Sequence, residues 1–442
     1  MVRVGCLGFG WAGVLAAWFL VKRYPQAEII AIDASQKLGG LMRSEVINGF
    51  TFDIGGTHVI FSRNRTILKE IISLLKRNYI KHERRAFVLF ENEYYVPYPF
   101  ENGIYVLPPE VRAELIADFI TAQLELTRNP DWHPRNFEEW IVKTFGKSIA
   151  EKYLIPYNEK IWKRQLNQIS ADWVFIPGRL PRPDVRNLIR SVAGIPTIGY
   201  VENAYFYYPA RGGIQALYNS VLNRVKRESR YIKIIIGERI EKIKRIGNEY
   251  IINDRYRVDK IISTIPILEL VKAIDAPEDV IKAASRLDYN QVVVVGLALS
   301  EPAPSQHWVY VPEKDVVFHR YAWISNYSPN NAPQDKSAII AEITVPKERH
   351  VDLERIVEEA IEGFERLGIF SKVNISFVKV WHHTYGYPVH GLDHVKTRQI
   401  VINWLERHGV KTIGRWGQWR YWNMDKVYEN VLETVNNMAR EL

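Results

Sequence analysis

The sequence contains one cysteine, Cys6, among its 442 residues, so it cannot form an intrachain disulfide. Cys6 lies in an apolar run near the N-terminus, and we expect it to pack as a small buried hydrophobic side chain. No cluster of cysteines and histidines has the spacing of a zinc site, so the sequence predicts no metal. Methionines number only four, and few cysteines and methionines beside many isoleucines, tyrosines, arginines and lysines point to a heat-adapted source.

Long apolar runs are also missing from the sequence. No stretch approaches the roughly 20 apolar residues that a membrane-spanning helix needs. The apolar N-terminal stretch is interrupted by Gly8, Gly10 and Gly13 and lacks a basic segment before it, which is unlike a signal peptide. We therefore expect a cytoplasmic protein without a membrane span.

The chain is basic, but its basic residues are not clustered. Lysine and arginine number 59 against 50 aspartates and glutamates, which gives a formal net charge of +9. No RRM, KH or helix-turn-helix pattern accompanies them, so the sequence gives no indication of nucleic-acid binding. A protein that handles a small anionic molecule fits this composition as well. The composition leaves the oligomeric state open.

The first glycine-rich turn has the pattern of a dinucleotide-binding site. Residues 2–33 have the apolar spacing of a strand, a helix and a second strand. Gly8, Gly10 and Gly13 stand between the first strand and the helix, and Asp33 ends the second strand. The glycines let backbone N–H groups approach a pyrophosphate at the helix N-terminus, and Asp33 can accept a hydrogen bond from a ribose hydroxyl. The spacing therefore predicts a βαβ unit that binds a dinucleotide.

A second glycine cluster narrows the choice of cofactor. Gly39 and Gly40 precede Ser44, and Gly55 and Gly56 lie further along. This arrangement resembles the extended fingerprint of the glutathione-reductase-like FAD family, in which the loop runs along the FAD diphosphate. The resemblance implies FAD, rather than a nicotinamide, as the cofactor of the βαβ unit.

The rest of the pattern predicts a multidomain chain of α/β and α+β architecture. Residues 63–200 have mostly helical spacing, and residues 291–399 have the alternation of a mostly antiparallel sheet. Residues 1–62, 201–290 and 400–442 are predicted to form a discontinuous, Rossmann-type FAD-binding domain, into which the helical domain is inserted. The segments predicted as strands are 2–7, 28–33, 231–236, 250–252, 260–264, 291–299, 308–311, 338–345 and 374–380.

Short motifs along the whole chain match one family in order. They lie at residues 52–62, 96–102, 156–162, 208–213, 308–310, 318–320, 325–328, 386–388 and 414–421. In order and content they resemble the UDP-galactopyranose mutases, and the eukaryotic-type enzymes more closely than the short bacterial ones. These mutases share the fold of the FAD-dependent amine oxidases, so the resemblance supports the predicted architecture.

The resemblance also implies roles for individual residues. The implied substrate contacts are Tyr98, Asn158, Trp162, Arg179, Asn203, Tyr310, Arg320, Tyr387, Arg415 and Tyr421. The implied flavin contacts are Gly8, Gly10, Gly13, Asp33, Gly39, Gly40, Ser44, Gly56, His58, Arg211, Asn423 and Met424, the last two at the start of the predicted final helix. Arginine suits a diphosphate because its planar, permanently charged guanidinium donates in pairs, and tyrosine hydroxyls bond phosphate without adding charge.

The reaction that the resemblance implies is the interconversion of UDP-galactopyranose and UDP-galactofuranose, without net redox change. The nucleophile at the anomeric carbon is then N5 of reduced FAD, while Arg320 and Arg415 hold the diphosphate and His58 tunes the flavin. Such chemistry requires no protein nucleophile, which agrees with the absence of a Ser/His/Asp or Cys/His arrangement from the motifs.

Two departures from the family leave the sugar open. Glu101 stands where the eukaryotic-type mutases carry glutamine, and the run 389–391, which contains His390, differs from theirs. The N-terminal fingerprint also fits an oxidoreductase of the amine-oxidase or protoporphyrinogen-oxidase type, or a flavin-bearing scaffold without turnover. The sequence has no second complete nucleotide fingerprint, so the reductant stays open.

Overall fold

The computed structural model describes residues 1–175, 183–197 and 204–438. The strands in these ranges are β1 (Arg3–Leu7), β2 (Glu28–Asp33), β3 (Ser44–Ile47), β4 (Phe50–Asp53), β5 (Ile80–Glu83), β6 (Ala86–Phe90), β7 (Tyr94–Pro97), β8 (Tyr205–Tyr208), β9 (Ile232–Ile236), β10 (Ile243–Ile246), β11 (Glu249–Ile252), β12 (Tyr256–Val258), β13 (Lys260–Ser263), β14 (Asp288–Leu299), β15 (Trp308–Tyr310), β16 (Arg320–Ala322), β17 (Ser337–Pro346), β18 (Ile375–Val389) and β19 (Val410–Thr412). The helices are α1 (Trp11–Arg23), α2 (Arg65–Leu74), α3 (Phe100–Gly103), α4 (Pro109–Arg128), α5 (Phe137–Phe145), α6 (Lys147–Ile149), α7 (Ile155–Trp162), α8 (Val185–Val192), α9 (Gln215–Glu228), α10 (Ile267–Ala273), α11 (Glu278–Ser285), α12 (Leu353–Arg366), α13 (His394–Arg407), α14 (Gly414–Gly417) and α15 (Met424–Met438).

A five-stranded sheet with the order β19-β13-β1-β2-β9 carries the predicted dinucleotide site. Every neighbouring pair in this sheet is parallel. Helices α1 and α9 cover one face, and the antiparallel sheet β10-β11-β12 packs on the other. Both faces are therefore buried, which explains why β2 is an almost continuous apolar run with Ile29 and Ile32 fully buried. Cys6 is fully buried in β1, as predicted. The doubly covered parallel sheet confirms the predicted Rossmann-type unit.

A seven-stranded sheet with the order β18-β14-β17-β16-β15-β6-β7 forms the other main layer. Its neighbours are antiparallel except β15 and β6, which run parallel. Along β14, Val293 and Val295 pack with Phe364 of α12, whereas Val292 and Val294 belong to the larger core on the opposite face. This alternation follows the two-residue period of a strand and leaves one face of the sheet toward the parallel domain.

The region predicted as mostly helical, 63–200, contains α2 to α8 in its described parts, but it also contains three strands. The β5 strand pairs with β8, and β6 and β7 extend the seven-stranded sheet. The helical and antiparallel regions therefore share a sheet, which the sequence pattern does not indicate. The domain limits themselves stay a prediction.

The longest of the described helices is α4, with 20 residues. This helix is amphipathic, with Leu115, Phe119 and Ala122 buried. Its Asp118 accepts hydrogen bonds from the backbone N–H and the hydroxyl of Ser148, at 2.9 and 2.5 Å. No helix within the described ranges combines the length and the apolar character that a membrane crossing requires.

Candidate functional site

A cavity of about 900 Å³ lies where the parallel sheet, the helical region and the seven-stranded sheet meet. Most of the residues that the sequence singles out line this cavity, although they come from distant parts of the chain. The members of the predicted set on its wall are Gly8, Gly10, Asp33, Gly39, Gly40, His58, Tyr98, Asn158, Trp162, Tyr310, Arg320, Tyr387, Arg415, Tyr421, Asn423 and Met424. The fold therefore brings the predicted cofactor and substrate residues into one space.

Other predicted residues lie elsewhere. Arg179 and Asn203 fall outside the described residues. Arg211 is exposed, away from the cavity wall, and its backbone N–H donates to Asn78 Oδ1 at 2.9 Å. The predicted cofactor contact of Arg211 stays a prediction that this position does not support.

Ser44 also lies away from the cavity wall, because its hydroxyl is hydrogen-bonded to the buried carboxylate of Asp53. The Ser44 hydroxyl donates to Asp53 Oδ1 at 2.6 Å, and Asp53 also accepts from the Tyr208 hydroxyl at 2.8 Å and the Ile214 N–H at 3.1 Å. Burial raises the pKa of Asp53 to about 6, although these hydrogen bonds oppose the increase. Ser44 therefore joins the strands under the glycine loops, and a direct cofactor contact stays a prediction.

The first glycine turn has the geometry of an anion-binding helix start. Gly8 has a φ of +81°, and its N–H donates to the carbonyl of Ile32 at 2.8 Å. A Cβ on Gly13 would overlap the carbonyl oxygen of Gly8, so only glycine permits this close packing of helix on turn. No side chain caps α1 at Gly10, which leaves its first N–H groups available to a phosphate.

Asp33 lies against the same turn. Its carboxylate accepts hydrogen bonds from the backbone N–H of Phe9 at 2.7 Å and of Ser35 at 2.8 Å. The carboxylate oxygens retain lone pairs toward the cavity, so they can also accept from a ribose. Asp33 thus both holds the turn and presents an acceptor at the predicted position.

The second glycine cluster lies directly over the first turn. Gly39 and Gly40 have φ values of +123° and +56°, and a Cβ on Gly10 would meet the Cα of Gly40 at 3.7 Å. A Cβ on Gly55 would overlap the carbonyl oxygen of Leu41. Backbone atoms without side chains therefore line both sides of this end of the cavity. They leave room for an extended diphosphate. The described residues fit FAD at this end.

His58 faces the cavity from the loop that begins at Gly56. Its Nδ1 lies 3.0 Å from the carbonyl oxygen of Gly56. Burial and the positive charge of Arg415 lower the pKa of His58 to about 4, against the opposing effect of that hydrogen bond. His58 is therefore neutral at pH 7, and in the tautomer that donates from Nδ1 to Gly56 its Nε2 is an acceptor.

Glu342 is the centre of a hydrogen-bonded cluster that the sequence did not identify. It is 1 % exposed, and both of its oxygens accept from Nη2 of Arg320 at 2.7 Å. Its Oε1 also accepts from the N–H of Thr57 at 2.8 Å and from the Thr57 hydroxyl at 2.5 Å, and its Oε2 from the Tyr387 hydroxyl at 2.8 Å. The carboxylate thus connects the loop before His58 with two predicted substrate residues.

The charge state of Glu342 follows from these contacts. Burial acts to raise its pKa, but the charge of Arg320 and the hydrogen bonds outweigh burial and lower the pKa to about 2. Glu342 is therefore ionised at neutral pH and neutralises part of the charge of Arg320. Since Tyr387 donates its hydroxyl to Glu342, it can meet a phosphate as a donor only by exchanging this partner.

Arg415 is positioned by backbone and by an aromatic ring. Its Nε and Nη2 donate to the carbonyl of Trp422, at 2.9 and 2.7 Å, and its guanidinium lies 5.4 Å from the centre of the Tyr421 ring. Burial lowers the pKa of Arg415, but an arginine remains charged at neutral pH. In the described residues it has no carboxylate partner, so its charge faces the cavity.

Arg84 is a second unpaired arginine on the cavity wall, and the sequence reasoning missed it. Its guanidinium lies between two rings, 5.3 Å from the centre of Phe61 and 5.2 Å from that of Trp308. Nε and Nη2 of Arg84 are buried and have no hydrogen-bond partner among the described residues. A buried guanidinium without a partner indicates a place for an anionic ligand.

Aromatic rings form much of the remaining wall. The rings of Tyr98 and Tyr310 lie 5.0 Å apart, and Trp162 packs at 5.2 Å against both Trp173 and Tyr421. Trp162 is 3 % exposed and is thus mainly a packed wall of the cavity.

The predicted contact of Asn158 is limited by its own helix. Its Oδ1 accepts from Trp162 Nε1 at 3.2 Å, and its Nδ2 donates to the carbonyl of Leu154 at 2.8 Å. Asn158 therefore lines the cavity while orienting Trp162. Its role as a direct substrate contact stays a prediction.

The sequence carries a signal for one of the two missed residues. Glu342 interrupts the apolar run 338–345, and a carboxylate in the middle of a buried strand needs a partner. Arg84 directly follows the short strand β5 and carries no comparable signal. Its position on the cavity wall depends on how β5 and β6 pair with distant strands.

Known proteins share this architecture. The sequence profile of flavin-containing amine oxidoreductases matches residues 11–399. A crystal structure of reduced UDP-galactopyranose mutase superimposes with a TM-score of 0.89 at 24% identity, over 100% of this chain and 94% of the other. Cyclohexylamine oxidase from Brevibacterium oxydans IH-35A gives a TM-score of 0.68 at 15% identity, over 100% and 99%. A fatty acid isomerase from P. acnes gives 0.67 at 14%, over 99% and 98%.

These structural likenesses establish the fold, which hosts both isomerases and oxidases. The profile match extends from the glycine turn through the seven-stranded sheet and covers most of the chain. The uncapped start of α1, the bare glycine loops and Asp33 supply the site that an FAD diphosphate and ribose need. The chain therefore belongs to the flavin-containing amine oxidoreductase family, and its cofactor is FAD.

Proposed function

We propose that this chain is a flavin-dependent isomerase that interconverts UDP-galactopyranose and UDP-galactofuranose. The observation that carries the proposal is the pair of guanidinium groups, those of Arg84 and Arg415, that face the cavity without a carboxylate partner in the described part of the chain. A diphosphate brings the negative charges that such buried arginines need, and a neutral or cationic substrate does not. The motifs around Arg320 and Arg415, which resemble those of the UDP-galactopyranose mutases, support the same function.

The arginines take the role of holding the nucleotide diphosphate throughout the reaction. Arg415 is oriented by the carbonyl of Trp422 and by the ring of Tyr421, so its remaining N–H groups point away from these partners. Arg320 keeps Nη2 on Glu342, while its buried Nε has no partner in the described residues. Fixed donors of this kind stabilise negative charge that develops on a departing phosphate.

His58 takes the role of a neutral hydrogen-bonding group beside the reacting carbon. When bound and reduced, FAD supplies a nucleophilic nitrogen for the anomeric carbon. A neutral His58, with Nδ1 toward Gly56, presents Nε2 as an acceptor and adds no positive charge near the sugar. Trp162 and Tyr421 close one side of the cavity with packed rings, which limits the access of water to the sugar.

The test is a turnover assay with the flavin in both redox states. The purified holoenzyme is reduced anaerobically with dithionite, incubated with UDP-galactopyranose, and the nucleotide sugars are separated chromatographically. We expect the furanose product with the reduced enzyme and none after reoxidation. Other UDP-hexoses in the same assay establish the sugar specificity. Absence of any ring-isomerised product from every UDP-hexose with the reduced enzyme would refute the proposal.

An FAD-dependent oxidoreductase of the amine-oxidase or protoporphyrinogen-oxidase type is the second candidate. The aromatic wall favours it, because Tyr98, Tyr310, Trp162 and Tyr421 offer the apolar surfaces that an uncharged substrate needs. Oxygen consumption with a panel of amines and a porphyrinogen distinguishes the two functions. Turnover in air together with no UDP binding assigns the oxidoreductase.

A further inference from the structure

Three side chains that carry metal-ligand atoms meet outside the cavity. His390 follows β18, His394 begins α13, and Asp172 lies between α7 and α8, far away in the sequence. One ligand atom from each of the three lies within 4.8 Å of the other two. His390 is in the run that departs from the mutase motif, so the proposed reaction assigns no role to this cluster.

The polar atoms of the cluster are buried and lack well-aligned hydrogen-bond partners. His390 is 2 % exposed and His394 4 % exposed. Both ring nitrogens of His390, Nε2 of His394 and Oδ1 of Asp172 form no well-aligned hydrogen bond among the described residues, although His390 Nδ1 and Asp172 Oδ1 lie close enough to attract each other. Four such atoms in one place are costly to bury, and each unsatisfied group in a folded protein requires an explanation.

One distance in the cluster agrees with the spacing of ligand atoms around a tetrahedral ion. Nδ1 of His390 lies 3.4 Å from Oδ1 of Asp172. In a zinc site with bonds of about 2.0–2.2 Å, neighbouring ligand atoms are about 3.3–3.5 Å apart. The rings of His390 and His394 are stacked, with centres 3.8 Å apart and planes 9° apart. Because imidazole lone pairs lie in the ring plane, binding one ion requires one of the two rings to turn out of this stack.

Charges of both signs surround the cluster. The carboxylate of Asp172 acts on the imidazoles with the opposite sign to the guanidinium groups of Arg398 and Arg420. These two arginines repel a cation, so the carboxylate of Asp172 is essential to any affinity. A divalent ion binds an imidazole in its neutral form and a carboxylate in its ionised form.

We infer that Asp172, His390 and His394 form a binding site for a divalent transition-metal ion, with Zn²⁺ as the best-matched ion. Two imidazoles and one carboxylate are a known zinc donor set, and they leave one position of a four-coordinate ion for water. This inference does not depend on the proposed function.

The bound ion joins two segments that already touch. Ser170 donates its N–H to the carbonyl of His390 at 2.8 Å, and Ile169 forms a β-bridge with Gly391. Trp173, next to Asp172, packs on the cavity residue Trp162. A metal bound here therefore stabilises the packing behind Trp162 in the cavity wall. The metal itself does not line the cavity.

Metal content and calorimetry test the inference on the FAD-bound protein. After dialysis against EDTA, the protein is titrated with Zn²⁺, and its thermal unfolding is recorded with and without the ion. We expect about one high-affinity equivalent per chain and a higher Tm with Zn²⁺, because an ion that binds only the folded state stabilises it. Co²⁺ in place of Zn²⁺ should give the visible absorption bands of a site with nitrogen and oxygen ligands.

Variants locate the ion. His390→Ala and His394→Ala should each weaken Zn²⁺ binding at least about 10-fold. His133→Ala, which removes an exposed histidine, should bind as the parent does. If an alanine variant fails to fold, Asp172→Asn keeps the shape and removes the charge, and it should lose the ion as well. No stoichiometric Zn²⁺ in the parent, or equal binding in parent and cluster variants, overturns the inference.

Discussion

Arg320 and Glu342 are directly opposite each other on the neighbouring strands β16 and β17, and Nη2 of the arginine donates to both carboxylate oxygens at 2.7 Å. The strands fix the two backbones, so this pair does not depend on a flexible loop. Glu342 also holds Thr57, two residues after Gly55. The predicted substrate residue Arg320 and the loop that leads to His58 thus share one buried carboxylate.

Replacing Glu342 by glutamine should destabilise the fold by about 3 kcal/mol, since it leaves the charge of Arg320 without its buried partner. The free energy of unfolding in urea, compared with the parent, measures the effect. Glu359→Gln is the matched control, because Glu359 forms an exposed pair with Arg355 on α12 and should change stability by less than about 0.5 kcal/mol. Equal effects of both substitutions would contradict a special role for Glu342.

The same pair predicts a pH dependence. Burial raises the pKa of Glu342, but the charge of Arg320 outweighs it, so the folded-state pKa falls from 4.5 to about 2. The contribution of Glu342 is therefore full above about pH 4.5 and is lost as the pH falls toward 2. Unfolding curves over this range should show a shallower loss of stability in Glu342→Gln than in the parent.

His58 should stay neutral until the pH falls to about 4, and its pKa should depend on Arg415. Burial is the larger cause of the lowered pKa, and the charge of Arg415 is the next. In Arg415→Met the pKa of His58 should therefore rise toward 6.5. NMR of protein with labelled histidine, assigned with a His58→Asn variant, follows the titration. The exposed Arg128→Met should leave it unchanged, and a parent His58 that titrates near 6.5 would count against this electrostatic environment.

Arg84 and Arg415 should both contribute to the binding of a nucleotide diphosphate. Each alanine variant should weaken UDP binding to the reduced holoenzyme by about 10- to 100-fold, the range expected for one lost charge-assisted contact. Isothermal titration calorimetry measures the dissociation constants, and Arg128→Ala serves as the control for a lost surface charge. Unchanged affinity in both cavity variants would leave the proposed isomerase without its main support.

Alanine at Gly13 should prevent FAD binding. The new Cβ would overlap the carbonyl oxygen of Gly8, and because both are backbone positions the turn itself must move. The ratio of absorbance at 450 nm to that at 280 nm reports the flavin content of the purified protein. Gly391→Ala is the control, since its Cβ would meet no atom closer than Asp393 Oδ1 at 3.9 Å. Full flavin content in Gly13→Ala would show that the turn tolerates the change.

Local patterns predicted the parts of the fold that form locally. The predicted strand 28–33 is β2 without change, and the final helix begins at Met424 as expected, because apolar periodicity and glycine spacing are short-range signals. The short strand β19 and the strands β5 to β7 were missed. Three to five residues give little periodicity, and their pairing partners lie far away in the chain.

The candidate site divides in the same way. Motif residues such as His58, Arg320 and Arg415 line the same cavity, and their roles toward flavin and substrate stay predictions. Glu342 and Arg84 have no motif of their own, and their importance comes from which side chains the folded strands bring near them. The absence of a zinc-like spacing likewise concealed His390 and His394, because Asp172 joins them only through the tertiary fold.

The parallel pairing of β15 with β6 limits how the cavity can open. Tyr98 follows β7 and donates its N–H to the carbonyl of Ala86 at 2.9 Å, and Tyr310 belongs to β15. The two rings, 5.0 Å apart, are thus carried by β7 and β15, which both pair with the strand β6 between them. Separating them would break backbone hydrogen bonds, so a ligand cannot enter by a hinge between these two walls. A ligand must instead enter and leave past segments outside this sheet. The side of the cavity formed by Tyr98 and Tyr310 therefore stays rigid when a ligand binds.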